Sequence, residues 1–180
     1  GRMIDARYNH PSIVMWVIFN EGWGQYDTKR LTEEVRHGDP TRLVDAASGW
    51  NDRHVGDVID SHIYTGPGQP KRDATRASVL GEFGGLGLAV SGHMWRDEDS
   101  FSYVMLPDSA ALRERYLGQV EELRGLIASG LAAAIYTQTT DVEGEVNGLM
   151  TYDREVIKVD PALVAGEPIE TLTARPPLQG

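Results

Sequence analysis

The stretch SIVMWVIFNEGWGQ occupies residues 12–25. Positions 13–19 are apolar without a break, and then come Asn20, Glu21 and Trp23. A strand with one wet face alternates apolar and polar side chains. A continuous apolar run instead marks a strand covered on both faces, which is the usual condition in a parallel sheet. Polar residues at the end of such a run lie where the backbone leaves the sheet, and α/β architectures gather their ligands there.

Four further apolar runs follow, at 43–47, 58–64, 79–83 and 131–137, each bounded by turn residues. Parallel strands need crossovers, and two connections have helical character. The first is DTKRLTEEVRHGDP, 27–40, with Asp27 or Thr28 as N-cap and Gly38 and Pro40 as stop signals. The second spans 108–130, where Leu112, Tyr116, Val120, Leu123 and Ile127 form one apolar stripe between a cap at Asp108 or Ser109 and a closing Gly130. Residues 65–78 and 86–107 read as loops, the second long enough to suggest a functional role. The pattern is that of an α/β protein, either an open doubly wound sheet or part of a (β/α)8 barrel. A full barrel needs eight strands and about 250 residues, more than this chain of 180 provides.

Composition narrows the partners. The chain has 27 acidic and 17 basic residues, a net charge of −10, and no Cys. Such a surface repels phosphate backbones and anionic lipid, so neither nucleic acid nor a membrane is an expected partner, while neutral ligands such as sugars remain open. The absence of thiols removes disulfides and thiolate metal sites, and the five His residues show no metal-ligand spacing. No metal or other cofactor is expected, and the compartment is not legible.

A second polar interruption stands in VLGEFGG, 79–85, where Glu82 falls near the end of an apolar run. Equivalent strand-end positions bring Glu21 and Glu82 to one rim. Two carboxylates flanking a pocket are the minimum equipment for glycosidic bond cleavage: one protonates the leaving oxygen, and the other attacks the anomeric carbon or activates water. A lone strand-end Glu more often serves an ion pair.

NHPSIVMWVIFNEGWGQ, 9–25, resembles the acid/base segment of glycoside hydrolase family 2, which contains β-galactosidases, β-mannosidases and β-glucuronidases. VLGEFGG resembles the nucleophile segment of that family, and TQTTDVEGEVNGLMTYDR, 137–154, resembles the segment after its eighth strand. The resemblance implies a TIM barrel, of which this chain carries strands four to eight over residues 1–160, followed by a tail or linker at 161–180. It also implies that a longer protein supplies β-sandwich domains and the first half of the barrel. Residues 1–8 would end the helix before the fourth strand. Exposed sheet edges predict poor solubility or a homo-oligomer.

The resemblance implies roles as well. Glu21 becomes the acid/base and Glu82 the nucleophile of a retaining enzyme, with Asn20 on the hydroxyl beside the reacting carbon. Trp23 packs at the rim or faces the aglycone. Tyr64, in DSHIYTG, matches a tyrosine whose hydroxyl faces the nucleophile. His62 shares its strand face, with an interior structural role as the alternative. Trp50 with Asn51 in SGWND, and His93 with Trp95 in SGHMW, pair aromatic faces with polar groups as sugar sites do, although an ordinary turn or packing role fits them equally. Gln138 reaches the same rim, where many relatives have a Trp. No Asn-x-Lys pair is present, which argues for a galactosidase-like and against a glucuronidase-like substrate. Two other readings stand beside this one: a carbohydrate-binding or structural remnant without activity, and a complete flavodoxin-like binding domain.

Overall fold

A computed structural model describes residues 1–68 and 71–164. The elements run α1 (Arg2–Arg7), β1 (Met15–Val17), α2 (Thr28–Gly38), β2 (Leu43–Asp45), β3 (Val58–Ile63), β4 (Ala77–Gly84), β5 (Leu86–Gly87), β6 (Val104–Met105), α3 (Ser109–Ala128), β7 (Leu131–Thr137) and α4 (Pro161–Val164). Most of the 161–180 tail, residues 165–180, lies outside the described part. No helix among the described residues is long and apolar enough to cross a membrane.

β1 and β2 pair in parallel, with Trp16 opposite Val44, and a further parallel bridge joins Asn20 to Ser48. A second sheet has the order β3-β4-β7, and β5 pairs with β6 in parallel. β2 and β3 share no sheet, yet the Asp57 backbone N–H donates to the Val44 carbonyl at 2.8 Å. No barrel is closed among the described residues.

The chain divides into two compact units. The first comprises the described residues of Gly1–His62, Gln69–Gly81 and Leu131–Ala134, and the second those of Ile63–Gly68, Glu82–Gly130 and Ile135–Gly180. In the first, Trp16, Val44, Ala46, Val58, Ile59, Val79 and Leu80 are buried. Its N-terminal segment is held by Arg42, which donates to the carbonyls of Ile13 (2.8 Å), Tyr8 (2.7 Å) and His10 (3.0 Å) and to Asp39 Oδ2 (2.6 Å). Its guanidinium also lies over the rings of Tyr8 and Trp16. Asp39 is buried and accepts from Trp16 Nε1 at 2.8 Å. Burial pushes its carboxyl up, but hydrogen bonds from Thr41, Trp16 and Arg42 outweigh that and hold it well below the usual range. In the second unit Leu86, Leu88, Leu112 and Val159 form the core, with Tyr116, Tyr136 and Leu149 packed on it.

Several sequence expectations need correction. The run at 13–19 supplies only a three-residue strand, although Val14, Ile18 and Phe19 still make backbone hydrogen bonds to Leu43, Asp45 and Ser48. Asp27 stands at the N-cap of α2 but makes no capping bond; its carboxylate pairs with Arg30 at 2.5 Å instead. Asp108 does cap α3, accepting from the Ala111 N–H. The 86–107 segment is not simply a loop, since it contributes β5, β6 and two core leucines.

The pattern around Arg42 predicts a specific loss. Arg42→Lys should lower the thermal midpoint nearly as far as Arg42→Ala, by more than about 5 °C, because an ammonium cannot serve four separated acceptors. Asp39 adds an acid limb. Its depressed folded value means that its stabilisation is present above the unfolded carboxyl range and is lost as pH falls. Thermal melts between pH 2 and 6 read both effects.

Candidate active site

The first unit brings Asn20 and Glu21, beyond the end of β1, and Trp50 and Asn51, beyond the end of β2, together with His62 near the end of β3. Glu21 follows β1 with φ +55°, a left-handed conformation that an L-residue adopts at a cost of about 1–3 kcal/mol. Its N–H donates to the Ser48 carbonyl at 2.8 Å, and its carbonyl accepts the Trp50 indole N–H. These two bonds hold the turn, and the carboxylate then meets His62, with Oε1 2.9 Å from Nδ1. The His62 side chain is 0% exposed and that of Glu21 20%. Asn51 lies against Gly22, where an added Cβ would stand 2.0 Å from the Asn51 amide nitrogen. Trp23 is 79% exposed and contributes no wall to this cluster.

Behind His62 lie groups that motif reading did not single out. Ser48 Oγ is 2.7 Å from His62 Nε2 and 2.8 Å from Asp60 Oδ2. Asp60 Oδ1 accepts the Gly81 N–H at 2.7 Å. Asp45, 1% exposed, neighbours Asp60, and burial followed by that carboxylate pushes its own carboxyl up to about 8. The signal was present in DSH, 60–62: residues two apart share a strand face, so Asp60 had to accompany His62. Gly81 is explained here too. A Cβ on it would stand 2.0 Å from Asp60 Oδ2.

The second unit holds Tyr64, Glu82, His93, Trp95 and Gln138. Tyr64 donates its hydroxyl to Glu82 Oε2. Its ring stacks on Tyr103, with centroids 3.8 Å apart and planes at 3°. Both rings lie against Gly85, where a Cβ would come within 2.8 Å of each. Burial, and next the Glu82 carboxylate, push the Tyr64 hydroxyl well above the usual tyrosine range, so it stays a donor. His93 Nδ1 lies 2.8 Å from Asp153 Oδ2. Hydrogen bonds, from Thr151 first and His93 second, hold Asp153 down at about 2. The half-exposed Trp95 meets Tyr152 edge to face. Gln138, just past β7, gives its amide N–H to Asn147 Oδ1 at 2.7 Å, with Asn147 held in turn by Glu145.

A cavity of about 480 Å³ in the first unit is lined by Lys29, Arg36, Asp57 and Arg76 and none of the residues above. Its arginines are already paired, Arg36 with Asp57 and Arg76 with Asp52 and Asp73.

Glu21 lies just past the parallel strand β1 and Glu82 near the end of β4, where α/β domains gather their ligands. Residues 1–80 match the family model described as glycosyl hydrolases family 2, TIM barrel domain, and this part of the chain is similar to that family. A β-galactosidase from Leuconostoc mesenteroides subsp. mesenteroides is 31% identical over 58 residues, which cover 32% of this chain and 6% of that relative. The chain thus spans a small part of the curated relative it matches.

Two stability tests follow from the buried carboxylates. Gly81→Ala should cost about 2–3 kcal/mol in chemical denaturation, because Asp60 cannot give way. Gly118→Ala, in open space on α3, should be neutral or stabilising by up to about 1 kcal/mol. Asp45 keeps a proton in the fold that the unfolded chain releases from about pH 4 upward. Its stabilising contribution is therefore whole below that value and disappears as pH rises toward 8. The thermal midpoint should fall across this window, and Asp45→Asn should flatten the slope.

Proposed function

We propose that the chain is the part of a retaining glycoside hydrolase that carries both catalytic carboxylates. The single observation that carries this reading is the contrast in their partners: Glu21 faces an imidazole, and Glu82 accepts from a tyrosine hydroxyl. Acid and nucleophile of a glycosidase are told apart by such surroundings. Glu82 attacks the anomeric carbon as the C–O bond to the aglycone breaks, and Glu21 delivers its proton to the departing oxygen. A water then gives a proton to Glu21 while its oxygen attacks the same carbon, and Glu82 leaves.

The strands β1, β2, β3, β4 and β7 are assigned as consecutive barrel strands, the fourth to the eighth. The pairings β1-β2, β3-β4 and β4-β7 support that order, as does the Asp57–Val44 bond between β2 and β3. Substrate contacts are assigned to Asn20 at the sugar, to Trp50, Asn51, His62 and Gln138 at the rim, and to His93 and Trp95 on the loop after β5. Trp23 is the weakest of these assignments, since 79% of its surface faces solvent. The substrate is galactosidase-like, supported by the bacterial β-galactosidase match and by the missing Asn-x-Lys pair. The further domains and barrel half that this reading requires are part of the proposal.

Aryl glycosides test it. Glu82→Gln should lower turnover of every substrate by at least about 10³-fold. Glu21→Gln should spare kcat/KM for dinitrophenyl leaving groups, where only the second, base-assisted step is slowed, and lower kcat/KM for unactivated ones by about 10²–10⁴-fold. Normal turnover by Glu82→Gln would end the reading. A crystal structure should place the two carboxyl groups about 5–5.5 Å apart; about 6.5–9.5 Å would indicate inversion.

A further inference from the structure

Three residues of the first unit hold a backbone that side chains disfavour. Glu21, Asn51 and His54 are left-handed, with φ of +55°, +56° and +58°. Such residues cost about 1–3 kcal/mol each and persist only where their surroundings leave no choice. Asn51 and His54 lie in the connection from β2 to β3, which carries no helix among the described residues. Its shape has to be imposed from outside.

Arg76, just before β4, supplies that hold. Its side chain is 7% exposed. It meets Asp52 as a fork, with Nη1 2.8 Å from Oδ1 and Nη2 2.8 Å from Oδ2. It also donates from Nε and Nη2 to Asp73 Oδ2, at 3.0 and 2.7 Å. Hydrogen bonds from Arg76, before any other cause, hold both carboxyls below the usual range, so the three charges stand together at neutral pH. Asp52 Oδ1 further accepts the His54 N–H at 2.8 Å, which closes the turn around it. From Asp52 the grip passes to its two neighbours in the chain. The Trp50 indole N–H donates to the Glu21 carbonyl, and the Asn51 carbonyl accepts from Gln25 Nε2 at 3.1 Å. The Asn51 amide fills the place that a Cβ on Gly22 would take. Residues 50 and 51 thus bear on the 21–25 turn at three points.

We infer that Arg76 is a positioning residue for Glu21: by fixing Asp52 it seats Trp50 and Asn51 on the turn that aims the Glu21 carboxylate. The reason is geometric. A planar fork engages both oxygens of Asp52 and still reaches Asp73, and an ammonium has no such shape. Without the fork the indole leaves the Glu21 carbonyl, and the Glu21 backbone relaxes toward the ordinary region. The carboxylate then loses the direction in which it gives a proton, and proton transfer to a leaving group depends on that direction. The acid role of Glu21 comes from the proposed glycosidase reading; the seating of Trp50 does not depend on it.

Two experiments on the protein test it. In the first, NMR of indole-labelled tryptophan follows two side-chain N–H groups of the first unit, Trp50 on the Glu21 carbonyl and Trp16 on Asp39. Arg76→Lys should move the Trp50 signal toward that of a free indole and speed its hydrogen exchange by at least about tenfold, while Trp16 is unchanged. Asp52→Asn, which preserves side-chain volume, should do the same. An unchanged Trp50 signal in both variants overturns the inference. So does loss of both signals in both variants, which would mean that the clamp supports the whole unit rather than the turn. In the second experiment kcat/KM is measured for aryl glycosides of graded leaving group. Both variants should lose at least about tenfold with phenyl leaving groups and less than about threefold with dinitrophenyl, as a misplaced acid requires. Equal loss across the series overturns the role in the acid step. If the unsubstituted protein cleaves no glycoside at all, the glycosidase reading fails, and the indole signals still decide whether Arg76 seats Trp50.

Discussion

The buried carboxylate of Asp60 is the constraint on which the first unit is arranged. An ionised carboxylate out of water costs several kcal/mol unless its oxygens are given donors. The chain supplies them from two directions: the Gly81 backbone in β4 and the Ser48 hydroxyl after β2. Each supplier is thereby fixed. β4 must approach closely enough to leave room for no side chain at 81, and the loop after β2 must bring Ser48 over Asp60. That same loop accepts the Glu21 N–H through the Ser48 carbonyl. Meeting the needs of one charge thus sets three elements and the turn that carries Glu21.

The second unit is organised by shape more than by charge. Tyr64 and Tyr103 stack over Gly85, a residue whose positive φ and missing Cβ let both rings settle on its backbone. Tyr136 meets Phe83 and Tyr116 edge to face, and the leucines of β5, the segment after it and α3 complete the core. The Tyr64 hydroxyl reaches Glu82 with its ring stacked on Tyr103 and set against Gly85. A flexible side chain in its place would spend rotamer entropy to make the same bond.

What the sequence revealed, and what it hid, divides along a physical line. Runs of apolar residues marked all five longer strands, and a side-chain cap marked α3, because these depend on local pattern. Strand ends were overextended at 13–19, where the regular strand covers only Met15–Val17. The cap of α2 failed because Asp27 had a better partner in Arg30, one turn along. Glu21, His62, Tyr64 and Glu82 were singled out by their motifs, and the structure gives each carboxylate a neighbour from that set. Ser48 and Asp45 were not, since their roles exist only once β2 and β3 lie side by side. Asp60 stood between these cases, a buried acid visible two residues before His62 but without meaning until Gly81 was seen against it.

The partners of the two carboxylates differ in kind, and the proposed chemistry requires that difference. A nucleophile must stay ionised until it forms its bond. A hydroxyl donor that does not itself ionise suits it, and the burial that pushes Tyr64 above the usual range keeps its proton in place. An acid/base must give up a proton in one step and recover one in the next. A fixed donor would hold it permanently as the carboxylate, and an apolar pocket would hold it permanently as the acid. An imidazole whose far nitrogen is tied down avoids both, because its near nitrogen can share the proton without keeping it. His62 stands beside Glu21 with its far nitrogen on Ser48, and Tyr64 stands beside Glu82. Exchanging the two partners would give each carboxylate the surroundings suited to the other role.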